Sequence, residues 1–158
     1  MENITEFLIE AKKNTYANEN VKHAQPSRQG SKDYEFELMK DNKKMIYHDT
    51  YFGGANFIGE EVIYLDSKKP IWGMNYYGYL IISGLSEELV DKVLRPALMQ
   101  VGVDDKVLPL RGPSEYKNGD YLYTFESKGS IDCFTGIERI YKDNKLIYQL
   151  HCAGGCIK

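Results

Sequence analysis

Arginine is scarce in this chain. Of its 20 basic residues only Arg28, Arg95, Arg111 and Arg139 are arginines, and the formal net charge is -3. A surface that grips phosphates needs an excess of clustered cations, so nucleic acid is not expected as a partner. Long apolar runs are missing as well. No stretch approaches the roughly 18 consecutive apolar residues of a spanning helix, and Glu2 and Glu6 stand where a secretory leader would be basic. A soluble cytoplasmic protein with no membrane partner is expected. Cysteine is limited to Cys133, Cys152 and Cys156, odd in number and clustered late, which argues against a disulfide framework and for reduced thiols. Low-complexity tracts and long linkers are also absent, so residues 1–158 read as one domain.

Tyrosine, by contrast, is abundant, with 13 among 158 residues against 42% apolar and 27% charged composition. Tyrosine suits a pleated, half-buried surface, and a strand-rich globular fold is expected. The chain also nearly repeats itself. Phe57-Ile-Gly-Glu-Glu-Val-Ile-Tyr-Leu-Asp-Ser-Lys68 returns as Phe134-Thr-Gly-Ile-Glu-Arg-Ile-Tyr-Lys-Asp-Asn-Lys145, and Trp72-Gly-Met-Asn-Tyr-Tyr-Gly78 lies against Tyr148-Gln-Leu-His-Cys-Ala-Gly154. Such similarity points to an internal duplication, with pseudo-repeats of about 1–82 and 83–158.

Each half is expected to open with a helix. Asn3 followed by Glu6 resembles a capping box, and Ile4, Phe7, Leu8 and Ala11 then recur at helical spacing, which predicts a helix over 4–14. Ser86 as N-cap, with Leu85 stapling onto Val90, predicts a second helix running to Gly102, kinked at Pro96. Residues 17–32 and 102–114 read as loops. Strands are expected at Tyr34–Lys40, Met45–Phe52, Phe57–Leu65 and Ile71–Leu80, with turns at Asp41-Asn42, Gly53-Gly54 and just before Ile71, closing at Pro70. The second half repeats the plan at Tyr121–Glu126, Ile131–Tyr141 and Leu146–Cys152, with Asn118-Gly119 and Asp143-Asn144 as hairpin turns. The fold class is therefore α+β: two αββββ-like halves, a curved antiparallel sheet on one side and two helices packed on the other.

Alternation along a strand puts Phe57, Gly59, Glu61 and Ile63 on one face, and Phe134, Gly136, Glu138 and Ile140 likewise. Each glutamate thus sits on an apolar face, where a carboxylate must be paired or hold its proton. Arg28, Arg111 or tyrosine hydroxyls would satisfy them as structural pairs; alternatively the bare glycine two residues earlier leaves room for a ligand. Tyrosines beside buried carboxylates suit flat, amphipathic or cationic molecules. The residues expected around such a cleft are Glu61, Glu138, Trp72, Tyr76, Asn75, His151 and Arg111. As an acid/base pair the glutamates would define a hydrolase, although nothing in the sequence fixes their separation. His151, Cys152 and Cys156 lack any standard zinc spacing, and no metal or cofactor is expected. His48 and Asp49 face opposite ways on a strand and read as a solvated pair, while Cys133 reads as a small apolar filler.

The motifs Thr15-Tyr16-Ala17, Gly30-Ser31-Lys32-Asp33-Tyr34, Asp49-Thr-Tyr51-Phe-Gly-Gly54, Phe57-x-Gly-x-Glu61, Trp72-x-Met-Asn-Tyr-Tyr-Gly78, Arg111-Gly112-Pro113 and Gly154-Gly155 resemble a family of uncharacterised bacterial domains. Members occur alone or behind helix-turn-helix DNA-binding domains, and some carry the label of negative effector of an extracytoplasmic-function sigma factor. The family has no established catalytic residues to carry over. The resemblance implies a regulatory or ligand-sensing module. A duplicated helix-plus-sheet unit is also similar to sensor domains of the gyrase-inhibitor type, though with another strand order. The leading expectation is a non-catalytic regulatory or small-molecule-binding domain; a protein-interaction module and a hydrolase using Glu61 and Glu138 are the alternatives. The partners to expect are a small-molecule ligand, a protein of the transcription machinery and a second copy of the chain.

Overall fold

The computed structural model describes residues 4–40, 42–66, 69–84 and 86–158, with Ser86 by its backbone alone. The expected caps at Asn3 and Ser86, the Leu85 staple, Asp41 of the first turn, and Ser67 and Lys68 of the repeat lie outside that description. Helix α1 spans Ile4–Lys13 and buries Ile4, Phe7, Leu8 and Ala11 as their spacing predicts, together with Lys12. The second helical run is in three pieces: α2, Ser86–Leu89, a π-helical stretch, Val90–Leu94, and α3, Arg95–Leu98. Pro96 explains the break. Proline has no N–H to give and its ring crowds the carbonyl four residues back, so the backbone widens ahead of it, with the Arg95 N–H reaching Val90, and Pro96 then sits in the first turn of α3, where its missing donor costs nothing. The run also ends at Leu98, one turn short of Gly102.

The described residues form eight strands, β1 (Lys32–Lys40), β2 (Lys43–Gly53), β3 (Asn56–Leu65), β4 (Lys69–Leu80), β5 (Glu115–Asn118), β6 (Tyr121–Ser130), β7 (Cys133–Lys142) and β8 (Lys145–Cys156). They form one open antiparallel sheet in the order β1-β2-β3-β4-β8-β7-β6-β5. Most strands run longer than hydrophobic alternation alone marks, because polar ladder ends such as Lys32 and Lys43 still pair through their backbones. Pro70, expected to close a turn, instead pairs with Tyr64 inside β4, at a ladder irregularity where its missing donor is tolerated. Asp143 and Asn144 take positive φ angles of 48° and 61°, as a two-residue hairpin turn requires.

The two meanders keep matching registers. Phe57, Gly59, Glu61 and Ile63 pair with Gly78, Tyr76, Met74 and Trp72, while Phe134, Gly136, Glu138 and Ile140 pair with Gly154, Cys152, Leu150 and Tyr148. Each ladder slips directly after its isoleucine, at Ile63/Tyr64 and at Ile140/Tyr141. Where β4 meets β8 the halves exchange aromatic contacts: Trp72 stacks on Phe134 at 5.7 Å and Tyr148 on Phe57 at 6.4 Å. Among the described residues the helices pack on one face of the sheet. Tyr47, Ile63, Trp72, Met74, Tyr123, Ile140 and Leu150 from that face join Phe7, Leu8, Leu89, Val93 and Ala97 in a single core. The opposite face leaves Ile58 and Tyr77 exposed.

Candidate functional site

Both glutamates are buried on the helix-covered face, as strand phase predicts, and both are paired. Arg111 donates to Glu138 through Nε and Nη2 at 2.9 and 3.0 Å, and the phenols of Tyr123 and Tyr148 add bonds of 2.7 and 2.8 Å. Glu138 therefore accepts four hydrogen bonds and meets a full positive charge, which is what allows it to be completely buried. Glu61 receives Lys12 Nζ at 2.6 Å instead. Arg28, one of the cations expected to satisfy a buried glutamate, pairs with Glu60 on the other side of the sheet.

The glycines do not hold space for a ligand. A side chain at Gly59 would run into the Tyr76 phenol, and one at Gly136 into Cys152 Sγ and the Phe125 ring, so cross-strand neighbours fill both gaps. Trp72 likewise belongs to the core, fully buried with its indole N–H donated to the Ile131 carbonyl. Asn75 and His151 lie on the uncovered face, beside a trough of about 660 Å³ that Phe52, Ile58, Tyr77 and Ile137 help to line. They are separated from the glutamates by the thickness of the sheet, because strand alternation that turns Tyr76 and Cys152 inward turns Asn75 and His151 outward.

A second cavity, of about 570 Å³, opens between the second helical run and the covered face. Tyr76 and Arg111 line it together with Tyr16, Tyr51, Phe57, Tyr148 and Asp49, and so do His23, Lys32, Glu87, Asp91 and Arg95. Asp49 is the group that the solvated-pair reading misses. Only 5% exposed, it pairs across the ladder with Glu61 and accepts the Tyr76 phenol at 2.6 Å. Its pKa is pushed up to about 7, first by burial and then by the charge of Glu61, against the hydrogen bond from Tyr76 and the charges of Lys12 and Arg111. Among the described residues no cation lies within ion-pair distance of it. A cavity of about 20 Å³ lined by Lys12, Tyr47, Asp49, Glu61 and Arg111 lies in the same polar layer, large enough for one water.

Signals for both missed groups exist in the sequence. Asp49 shares the inward phase of Met45 and Tyr47, and Lys12 sits one helical turn from Leu8, on the buried stripe. His48 turns away from Asp49 to bond Asp33 at 2.6 Å. Burial raises the Asp33 pKa, but hydrogen bonds from Ser27, Ser31, Thr50 and His48 outweigh it and hold the carboxyl well below its usual range.

Residues 49–157 match a family described as a domain of unknown function, DUF5680. The chain belongs to the DUF5680 family. No curated protein and no solved structure matches it. The DUF5680 region starts at Asp49 itself and takes in Tyr51, Phe57, Tyr76, Arg111 and Tyr148, so most of the cleft's inner lining falls within it, whereas Lys12 and Tyr16 precede it. Among its described residues no helix is long and apolar enough to cross a membrane, and no group of His, Cys, Asp and Glu is arranged to hold a metal. Cys152 is buried, and burial first of all pushes its thiol up to about 12; Cys133, read as an apolar filler, is exposed instead, because it stands at the start of β7 beside the hairpin.

Proposed function

We propose that this domain is a non-catalytic regulatory module that binds a small molecule in the cleft between the second helical run and the sheet. The observation that carries the reading is Asp49, a carboxylate turned into a tyrosine-walled cavity of about 570 Å³ with one hydrogen bond and no ion-pair partner among the described residues. Its volume falls in the range of small-molecule sites, and its lining mixes aromatic rings with charged side chains that converge on it. A hydrolase acting through Glu61 and Glu138 would need free carboxyls, and both are held by cations. A cytoplasmic location and a place beside the transcription machinery fit the resemblance to domains found behind helix-turn-helix modules. Matching registers and matching ladder slips in the two meanders support reading the chain as two copies of one αββββ-like unit.

A protein-interaction module is the second reading, favoured by the uncovered face, where Ile58 and Tyr77 are 57% and 46% exposed beside the outer trough. A thermal-shift screen of metabolites and amphipathic amines separates the two. A ligand at a hundredfold excess over its Kd stabilises by about 2.7 kcal/mol, a rise of several degrees for a domain of this size. If no compound moves the midpoint, the small-molecule reading is abandoned for the interaction module.

A further inference from the structure

The polar layer under the cleft is one cation short. Among the described residues it contains three buried carboxylates, Asp49, Glu61 and Glu138, and two buried cations, Lys12 and Arg111. Lys12 lies 2.6 Å from Glu61 and Arg111 is engaged by both oxygens of Glu138, so each cation is committed to a carboxylate other than Asp49. Elsewhere in the lining Lys32 and Arg95 balance Glu87 and Asp91, and His23 is the remaining titratable side chain. The uncompensated position is therefore the floor, at Asp49.

We propose that the cleft's ligand is a small organic cation, an amine or ammonium compound, whose charge completes the layer at Asp49 and whose apolar body lies among Tyr16, Tyr51, Phe57 and Tyr148. The assignment rests on the small-molecule reading above and deepens it. Aromatic geometry favours this occupant: Tyr16 and Tyr51 meet edge to face at 6.0 Å, and Phe57 meets Tyr76 at a steep 64°. Ring faces in this lining already take cations, Arg95 over Tyr16 at 4.9 Å and Lys32 over Tyr51 at 5.7 Å, while among the described residues none stands over Phe57 or Tyr148. An anion placed on the same floor would face Asp49 and find the Arg111 charge already taken. A neutral ligand would leave the Asp49 carboxyl to keep its proton or remain a lone buried charge.

Binding should be linked to protons. Asp49 is faced by Glu61 on β3, Tyr76 on β4, Lys12 on α1, Arg111 before β5, and Tyr34, Tyr47 and Tyr51 on β1 and β2, and His23, packed on Tyr34 at 4.5 Å, lines the same cavity. With its pKa raised to about 7, a cation that needs the ionised carboxylate must displace a proton at and below neutrality, so affinity falls as pH drops through that value.

The test uses the full chain with phenethylamine and benzyltrimethylammonium, set against benzyl alcohol and phenylacetate, in thermal shift and calorimetry at about pH 6 and about pH 8, on either side of the raised value. The cations should raise the midpoint, bind more tightly at the higher pH and release protons at the lower one. Asp49→Asn, which keeps the shape of the side chain and its hydrogen bond to Tyr76, should weaken them by about tenfold or more. If benzyl alcohol or phenylacetate binds as well as its cationic counterpart, and Phe57→Ala weakens that binding, the cation assignment fails while the small-molecule reading stands. Cation binding that survives Asp49→Asn, or that releases no protons, overturns the assignment as well. If none of the four compounds nor any in the wider screen shifts the midpoint, both readings fail together.

Discussion

The two halves of the sheet place a glutamate at matching positions and treat it in opposite ways. Glu138 is closed in: its ladder neighbour on β6 is Phe125, Tyr148 reaches it from β8, and Arg111 is bidentate. Glu61 keeps one phenol beside it, Tyr47 in the position of Tyr123, but has Asp49 as its neighbour on β2, and Trp72, which stands where the second half has Tyr148, offers it no hydroxyl and donates to the Ile131 carbonyl. Beside the paired glycines, Tyr76 and Cys152 continue the contrast. Tyr76 donates to Asp49, whereas Cys152 packs with Phe125 over Gly136. One half holds a saturated ion pair sealed by apolar neighbours; the other holds two facing acids of which Glu61 takes the lysine and Asp49 opens to the cleft. The lesson is that the buried glutamate is an element of the sheet, and the capacity to bind comes from what surrounds it.

The largest test of that contrast is Arg111→Leu. It strands Glu138 among phenols with no cation in reach, and breaking a buried pair from one side costs about 3–5 kcal/mol. Urea unfolding should show a loss of that order. A loss below about 1 kcal/mol would mean that the pair is solvated and that the second half is not closed.

How much of this was legible in the letters follows from what each position depends on. Strand phase put Glu61 and Glu138 inside, and helical spacing found the buried face of α1, because both follow from local geometry. The same phase would have placed Asp49 inside had His48 beside it not suggested a solvated pair. The partner of each carboxylate depended on the docking of other segments: Arg111 comes from the loop before β5 and Lys12 from α1, and no local period encodes which one meets which strand. Asn75 and His151 were grouped with the cleft by chemistry although their own phase places them on the other face. The space beside Gly59 was real, but the side chain that fills it comes from the neighbouring strand.

Asp49→Asn tests the open half and should act through pH. The Asp49 pKa rises from an ordinary carboxyl value to about 7 on folding, so between roughly pH 4 and 7 the folded chain holds a proton that the unfolded chain gives up. Its contribution to stability is complete at the acid end and is lost as pH rises through about 7. Each pH unit of that window is worth at most about 1.4 kcal/mol from this group. Denaturation curves across the window should therefore slope less steeply for Asp49→Asn than for the natural chain. Parallel curves would place Asp49 in solvent and remove the contrast between the halves at its source.

The smallest effect is expected from Lys12→Met, which keeps the unbranched stem and removes only the charge. Glu61 then loses its ion pair, but it differs from Glu138 in having an acid beside it that can hold a proton. Lys12 is one of the charges that lower the Asp49 pKa, so its removal drives Asp49 further up and leaves more of the carboxylate pair neutral near pH 7. The loss should be about 1–3 kcal/mol, smaller than for Arg111→Leu, and it should shrink as pH falls. Unfolding measured in acid and in mild alkali decides the matter. A loss as large as that of Arg111→Leu and unchanged with pH would show that Glu61 is sealed as tightly as Glu138, and the two halves would then be alike.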